Sequence, residues 1–469
     1  VLTMFERWMG AETFREGIRL YMRRHQSETA TSEDLLAALD EVTDLDVSAP
    51  FRTFLTQPGV PLLSARSSGE ACRDGVRNVA LRQERYFPIG SSGDAAQRWE
   101  IPVCVRHSNG TTCSVLREPE GQIELPGCPS WWMPNDDGAG YFRFSMGPDD
   151  WANLRARGLS KLSERGKMAV ADSVFAELDR GAMDPEALLP WLPRFVASPI
   201  RQLASAPMGP LRFMMYHAAP PELRDEVRRY ASDLYRQRYA RLGWRASKNE
   251  SSDTTLLRDA VVRFMVMDVR DSAARTRAAR LGRTYIGYRT EAKPAAVDPQ
   301  LAGLVLAAAV QEGDARFFDY LLRRLDGDTD ALSRNRILSA LAQAESPALS
   351  TRALDLIVDP RVRVNEMGRL LRAQLRNPRT RERAWAWFTE HFDEVIARLG
   401  SGRGGGTPWH ATGFCTEEDA ERVRRFFEPR VAALAGGPRN LAGAVEAISL
   451  CAKRAAAHRP GVERAFHAR

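Results

Sequence analysis

The chain has 469 residues and a formal net charge of +7, from 67 Lys and Arg against 60 Asp and Glu. This length is too great for one hydrophobic core and predicts roughly two to four domains. A content of 44% hydrophobic and 27% charged residues is typical of globular proteins. The longest apolar run, Leu301 to Val310, is too short for the roughly 20 residues of a membrane span, so we expect no transmembrane segment.

Residues 1–57 have the periodicity of helices. The first apolar residues recur at the spacing of one buried helical face: Val1, Leu2, Phe5, Trp8 and Met9. Because this face starts at the first residue, we expect it to pack against a domain that precedes Val1. A further helix is predicted from TSEDLLAALDEV, with Thr31 or Ser32 as N-cap and Asp34 in the capping-box position.

Residues 58–147 change to a period of two. Six segments have strand character and are separated by turn clusters such as HSNG and NDDGAG: PLLSARS, VRNVALRQERYF, WEIPVCVRH, TTCSVLREP, GQIELPG and GYFRFSM. Short strands at this spacing predict a small β-sandwich domain. We expect Trp99, Trp131, Trp132 and Tyr141 to be packing residues of this sandwich.

Residues 148–469 have the pattern of amphipathic helices joined by short Gly, Pro and Asp turns. No fixed repeat length is present, which disfavours ankyrin and tetratricopeptide arrays. Antiparallel helix pairs stacked into an irregular α-helical superhelix fit best. The stretch GSGRGGGTP, Gly400 to Pro408, is predicted to be a flexible loop. The predicted fold class is therefore mostly α with a small β-sandwich.

Arginine supplies nearly all the positive charge, and Arg224 to Arg245 is especially rich in it. Such a helix could bind phosphate groups. However, Asp225, Glu226 and Asp233 are interleaved with the arginines, and no nucleic-acid-binding motif accompanies them. We therefore expect a solvated helix face and no nucleic-acid partner.

No catalytic motif is complete. The seven histidines include no H-E-x-x-H pair, and His391 with Glu394 is a lone pair on a charged helix. G-x-S-x-G is absent, and the glycine-rich stretch lacks the G-K-[ST] of a phosphate loop. The sequence therefore predicts no catalytic residue and no metal ligand in this chain.

The six cysteines form no C-x-x-C pair, which disfavours a zinc ribbon or a thioredoxin-type site. Disulfides in an oxidising compartment and buried thiols in a cytosolic protein both remain open from the spacing alone.

Four strings, in this order, resemble the C-terminal half of zinc aminopeptidases of the aminopeptidase N type. VLTMFERWMGAETFREGIRLYMRRH and FRTFLTQPGVPLL resemble the end of the catalytic domain, WWMPNDDGAGYFRFSM the end of the sandwich, and FFEPRVAALAGGPRNLAGAVEAISLC the terminal helices. The resemblance implies three regions. They are the last helices of a thermolysin-like catalytic domain (1–57), a β-sandwich (58–147) and a helical superhelix (148–469).

The resemblance also implies an activity, the removal of N-terminal amino acids from peptides by a zinc-activated water. The family's zinc ligands and catalytic residues precede the segment that corresponds to Val1. We therefore expect zinc in the full-length parent, none bound by this chain, and no activity of the chain alone. Expected partners are peptide substrates and the N-terminal catalytic domain. The alternative is a non-catalytic α-superhelical scaffold that binds peptides or proteins.

In this family the helical domain closes over the catalytic cleft, and arginines of such a chamber can bind peptide carboxylates. The resemblance makes Arg403 and His410 substrate-binding candidates. Arg439, in GGPRNL, is predicted at a helix N-terminus, where a cation is unfavourable and would call for a carboxylate partner. The resemblance also favours an exported protein, a Cys415–Cys451 disulfide, and bridges Cys113–Cys128 and Cys72–Cys104.

Overall fold

The computed structural model describes residues 1–67, 72 and 74–467. The chain forms two compact units, Val1–Asp184 and Pro185–Arg469, called here the first and second units. None of the helices in the described part of the chain combines the length and apolar character that crossing a membrane requires.

In its described residues the first unit has six α-helices, four before its strands and two after them. They are α1 Leu2–Met9, α2 Ala11–Arg24, α3 Ser32–Glu41, α4 Ser48–Leu55, α5 Pro148–Asn153 and α6 Glu164–Asp179. The predicted N-cap of α3 is confirmed. The backbone N–H of Asp34 donates to the Thr31 hydroxyl at 3.3 Å, and the Asp34 carboxylate accepts from the Thr31 N–H at 2.9 Å.

The apolar face of α1 is covered largely by this chain itself. Met4, Phe5 and Met9 are buried, and the Phe5 ring stacks on Phe51 of α4 at 4.4 Å. The expectation that this face packs against a preceding domain is therefore wrong for Phe5, because α4 covers its ring. Leu2 stays exposed.

Across the described ranges of the first unit, seven strands form two small sheets. They are β1 Pro61–Ser67, β2 Val76–Arg85, β3 Ile101–His107, β4 Gly110–Leu116, β5 Glu120–Pro126, β6 Trp132–Met133 and β7 Arg143–Met146. One sheet has the order β5-β2-β1-β7, with β1 and β7 parallel, and the other has the order β4-β3-β6. Trp99, Trp131 and Trp132 are buried, as packing residues should be, whereas Tyr141 is exposed.

Helix α6 belongs to the first unit and packs against β7. The Ser173 hydroxyl accepts from the Phe144 N–H at 3.2 Å, and the Ser145 hydroxyl donates to Glu177 at 2.9 Å. The predicted domain boundaries at 57/58 and 147/148 stay predictions.

The disulfides of the sandwich differ from the expected pairs. Cys104 is bonded to Cys113 and Cys72 to Cys128, so the predicted Cys113–Cys128 and Cys72–Cys104 bridges are wrong. The reason is the β3–β4 hairpin, whose register places Cys104 directly opposite Cys113. In the second unit, Cys415 is bonded to Cys451, the pairing that the resemblance implied.

The second unit is helical throughout its described residues. Its α-helices are α7 Pro185–Leu188, α8 Leu192–Val196, α9 Arg201–Ser205, α10 Met208–Phe213, α11 Arg224–Leu242, α12 Ser252–Arg263, α13 Ser272–Ile286, α14 Ala302–Gln311, α15 Ala315–Asp326, α16 Ala331–Leu341, α17 Pro347–Asp355, α18 Val364–Arg376, α19 Arg381–Glu390, α20 Phe392–Gly404, α21 Glu417–Phe427 and α22 Gly437–His467. Neighbouring helices pack in succession, α13 on α14, α14 on α16, α16 on α18 and α18 on α19. This stacking confirms the predicted mostly α fold with a small β-sandwich.

The predicted flexible loop at Gly400 to Pro408 is wrong. Helix α20 turns at Gly400 (φ 74°) and continues to Gly404, and a 3₁₀ segment begins at Thr407. A Cβ on Gly405 would lie 1.9 Å from the carbonyl oxygen of Ala435. Gly405 thus allows a close approach of two backbone segments that any side chain would prevent.

Candidate functional site

A cavity of about 870 Å³ lies in the second unit and is rich in arginine. Seven arginines line it against three carboxylates: Arg224, Arg228, Arg270, Arg369, Arg372, Arg376 and Arg379, with Asp225, Asp268 and Glu345. We call this the arginine cavity. Its excess of cations suits a negatively charged ligand.

Two π-helical turns build one side of the arginine cavity. Met214–Ala218 supplies Met215 and Tyr216, and Phe264–Val269 supplies Met267 and Asp268. The N–H of Ala219 bonds to the carbonyl of Met214 at 2.8 Å, five residues earlier. Such turns widen a helix and are frequent at functional sites.

Asp268 is already engaged by protein groups. Its carboxylate accepts from Arg212 Nε at 2.8 Å and from the Tyr216 hydroxyl at 3.1 Å. Burial raises the pKa of Asp268, and the contacts with Arg212 and Tyr216 oppose this shift only in part. Burial, followed by the charge of Asp268, raises the pKa of Tyr216. Arg212, Tyr216 and Asp268 therefore stabilise the wall of the cavity, and the charge of Asp268 is not available to bind a ligand.

Glu345 is held in a similar way by Arg270. The two guanidinium–carboxylate distances are 2.8 and 3.0 Å, and Asn377 Nδ2 adds a bond at 3.1 Å. Burial opposes ionisation of Glu345, but these hydrogen bonds outweigh it and lower its pKa. Arg270 has φ 61° and ψ 38°, a left-handed conformation that is uncommon outside glycine and is found at functional sites.

The opposite side of the arginine cavity is one face of α18. Arg369, Arg372 and Arg376 lie at positions i, i+3 and i+7, so their side chains share that face. Arg369 donates to the carbonyl of Asn335 at 3.3 Å. Within the part of the chain that the structure describes, the side chains of Arg372 and Arg376 form no ion pair or hydrogen bond. Like charges one turn apart repel, and a bound anion would relieve this repulsion.

The sequence-predicted site residues fall in different places. His410 lies behind the cavity wall, since a Cβ on Gly368 would lie 3.7 Å from its Nε2. Burial, and then the charges of Arg372 and Arg376, lower the pKa of His410 to about 4. Arg403 is exposed at the end of α20 and does not line the arginine cavity.

Arg439 lies in the first turn of α22, as predicted, but is exposed. None of the described carboxylates pairs with it, so the expected carboxylate partner is absent from that part of the chain. The reason is solvation, since water screens a cation at an exposed helix terminus.

Sequence reasoning missed the arginines of α18, although a signal was present. Between Glu366 and Glu382 the chain carries five arginines and no acidic residue, and three of the arginines share one helical face. In Arg224 to Arg245, by contrast, three acidic residues lie among the arginines of the first half of the segment.

The residues that the structure describes do not fit a resident metal ion. Within the described residues, one group of three potential ligands lies close together, His217 with Cys415 and Cys451. The two sulfur atoms are joined in a disulfide, and a disulfide offers no thiolate to a metal.

Two family models match segments of this chain. Residues 131–450 match the model of the ERAP1-like C-terminal domain, and residues 1–54 match the peptidase family M1 domain. The chain is 22% identical to aminopeptidase 2, mitochondrial, of Saccharomyces cerevisiae over 91% of its own length and 44% of that protein's. It is 24% identical to aminopeptidase M1 of Arabidopsis thaliana (86% and 47%) and 25% identical to glutamyl aminopeptidase of Homo sapiens (85% and 42%).

The chain thus spans about half the length of the curated relatives it matches. These relatives are aminopeptidases, which confirms the resemblance found in the sequence. The match over residues 131–450 covers the end of the sandwich and most of the second unit, including the arginine cavity. This chain belongs to the ERAP1-like C-terminal domain family and carries in addition a segment of the peptidase family M1 domain.

Proposed function

We propose that this chain is the C-terminal part of a zinc aminopeptidase that removes N-terminal residues from peptides. Its arginine cavity binds a carboxylate of the peptide. The observation that carries the second statement is the pair Arg372 and Arg376, two cations on one helix face without a partner in the described structure. Guanidinium groups bind carboxylates through paired, charge-assisted hydrogen bonds. The zinc ion and the groups that activate water lie, in this proposal, outside the chain.

Peptide binding tests the cavity directly. A fluorescent peptide with a free C-terminal carboxylate should bind the chain, and its C-terminal amide should bind less tightly. In the double variant R372Q/R376Q the preference for the carboxylate should fall by about tenfold or more, because hydrogen bonds to charged groups contribute roughly 1.5–3 kcal/mol each. Fluorescence anisotropy at low salt measures both affinities.

Two exposed arginines provide the comparison variants. R439Q changes the charge equally but lies outside the cavity lining, so it should leave the preference for carboxylate unchanged. R403Q tests the candidate that the sequence suggested. If R403Q removes the preference and R372Q/R376Q does not, the ligand binds near Arg403 and the proposal for the arginine cavity fails.

Catalysis should depend on sequence outside this chain. The purified chain should release no amino acid from an aminoacyl anilide, with or without added zinc, because the described residues hold no fitting metal site. The longer polypeptide that includes an H-E-x-x-H segment should do so and should be inhibited by a chelator. Chelator-sensitive turnover by the purified chain would contradict this assignment.

A further inference from the structure

His217 lies beside the Cys415–Cys451 disulfide of the second unit. Cys415 comes just before α21, Cys451 lies on α22, and His217 lies in the π turn Met214–Ala218. A ring nitrogen of His217 and the two sulfur atoms all lie within 4.8 Å of one another, and all three residues are half-buried. Three segments distant in sequence thus bring two sulfurs and one imidazole together.

The imidazole of His217 has no hydrogen-bond partner among the residues that the structure describes. Burial, and then the charges of Arg381, Arg224 and Arg454, lower the pKa of His217 to about 4. The ring is therefore neutral at pH 7, and a neutral imidazole is the form that binds metals.

We infer that reduction of the Cys415–Cys451 disulfide creates a binding site for one Zn²⁺, with the two thiolates and His217 as ligands. In the reduction a dithiol gives two electrons and two protons. The S–S bond breaks, each cysteine becomes a thiol, and the dithiol closes to its own disulfide. Zinc then binds the two sulfurs and the imidazole nitrogen, and the two thiol protons are released to water. A water molecule completes a tetrahedral set.

The geometry requires only small movements. Tetrahedral zinc has Zn–S distances of about 2.3 Å and Zn–N distances of about 2.0–2.1 Å, so its donor atoms lie roughly 3.5–3.8 Å apart. The two sulfurs have to separate once their bond is broken. The imidazole nitrogen, which lies within 4.8 Å of both sulfurs, has to approach them by about 1 Å.

The surrounding charges also suit the site. Arg381, Arg224 and Arg454 lie near His217 and would repel a bare cation. However, cationic neighbours favour the thiolate over the thiol, and two thiolates neutralise one Zn²⁺. The other two disulfides have no such set of three donors within the described part of the chain. We therefore expect the site to be specific to this pair.

The experiment uses Co²⁺ as a coloured substitute for Zn²⁺. The full chain is reduced under native conditions with a phosphine, since a dithiol would compete for the metal, and is titrated with Co²⁺. The reduced chain should bind Co²⁺ with the absorption bands of tetrahedral thiolate coordination and should release it to Zn²⁺. The oxidised chain should show no such bands. Circular dichroism before and after reduction checks the fold, and a chain that unfolds on reduction would overturn the inference.

Variants assign the spectrum to the site. C415S should abolish the bands, although five cysteines remain in the chain. H217Q should weaken binding at least tenfold, since loss of an outer-shell partner alone costs roughly that much. The matched control H391Q should bind like the unmodified chain, since His391 stacks on Trp387 and bonds to its carbonyl at 2.9 Å. Unchanged bands in C415S, or unchanged affinity in H217Q, would overturn the inference.

Discussion

Replacing Glu366 with Ala should destabilise the second unit by about 3–5 kcal/mol, the usual effect of removing one partner of a buried ion pair. Glu366 of α18 accepts two hydrogen bonds from Arg334 of α16, at 3.0 and 2.8 Å. Only 7% of the Arg334 side chain and 9% of the Glu366 side chain are exposed. In E366A the guanidinium of Arg334 would stay buried without a counter-charge, although it keeps bonds to backbone carbonyls.

Glu366 also fixes the start of the helix that carries the cavity arginines. Its carboxylate accepts from the backbone N–H of Arg363 at 2.9 Å, in the first turn of α18. Burial opposes ionisation of Glu366, but the bonds from Arg334 and Arg363 outweigh it and lower its pKa. Its stabilisation is therefore present above the ordinary pKa of Glu and is lost as the pH falls through the lowered pKa. The stability difference between E366A and the unmodified chain should shrink in acid.

Urea unfolding measures this effect, with hydrogen exchange in α16 and α18 identifying the transition of the second unit. E382A is the matched control. Glu382 also receives two bonds from one arginine, Arg422 at 2.8 and 3.3 Å, but 69% of its side chain is exposed. We expect E382A to change the free energy of unfolding by at most about 1 kcal/mol. An equal loss of unfolding free energy in E366A and E382A would show that burial of the Arg334–Glu366 pair adds nothing to its contribution to stability.

Replacing Phe427 with Ala should cost about 3–5 kcal/mol, as deletion of a fully buried aromatic ring does. Phe427 ends α21 and is 0% exposed. Its ring centroid lies 5.1 to 6.2 Å from the centroids of four aromatic rings, those of Trp385, Phe388, Phe392 and Phe426. These rings belong to α19, α20 and α21 and pack the three helices together. The cavity left by the ring could close only if several helices moved, so we expect little relaxation.

Phe426 offers the control for this variant. It is adjacent in sequence and contacts Trp385, Phe388 and Phe392 as well, but it is only half-buried. F426A should therefore lose clearly less stability than F427A in the same urea transition. A loss in F426A that equals or exceeds that in F427A would contradict the assignment of Phe427 to the core.

Structural features that depend on residues adjacent in sequence could be predicted. The N-cap at Thr31 depends on four consecutive residues, and the prediction of β1 as PLLSARS has the observed bounds, Pro61–Ser67. The Cys104–Cys113 bridge could also have been predicted. Cys104 lies three residues before His107 and Cys113 three residues after Gly110, the two ends of the turn, so the two cysteines face each other across the hairpin. The prediction failed because it treated Cys113 and Cys128 as residues of neighbouring strands and did not use the register of the β3–β4 hairpin.

Features set by distant backbone were not predictable. Gly405 looked like part of a flexible loop, and only the position of Ala435, thirty residues later, shows that no side chain fits there. The arginine cavity depends partly on neighbouring residues and partly on distant backbone. The face of α18 can be read from spacing, whereas Asp268 and Arg270 approach it because a π turn directs them there.

The π turns have a consequence for changes of chain length. Each contains one residue more than an α-helical turn. Deletion of a single residue from Met214–Ala218 or Phe264–Val269 would restore regular spacing and rotate the remaining end of the helix by about 100°. The side chains of Tyr216, His217 and Asp268 would then point in other directions. This would happen although every residue that lines the arginine cavity or lies at the Cys415–Cys451 disulfide kept its side chain. These two segments should therefore tolerate many substitutions more readily than the loss of one residue.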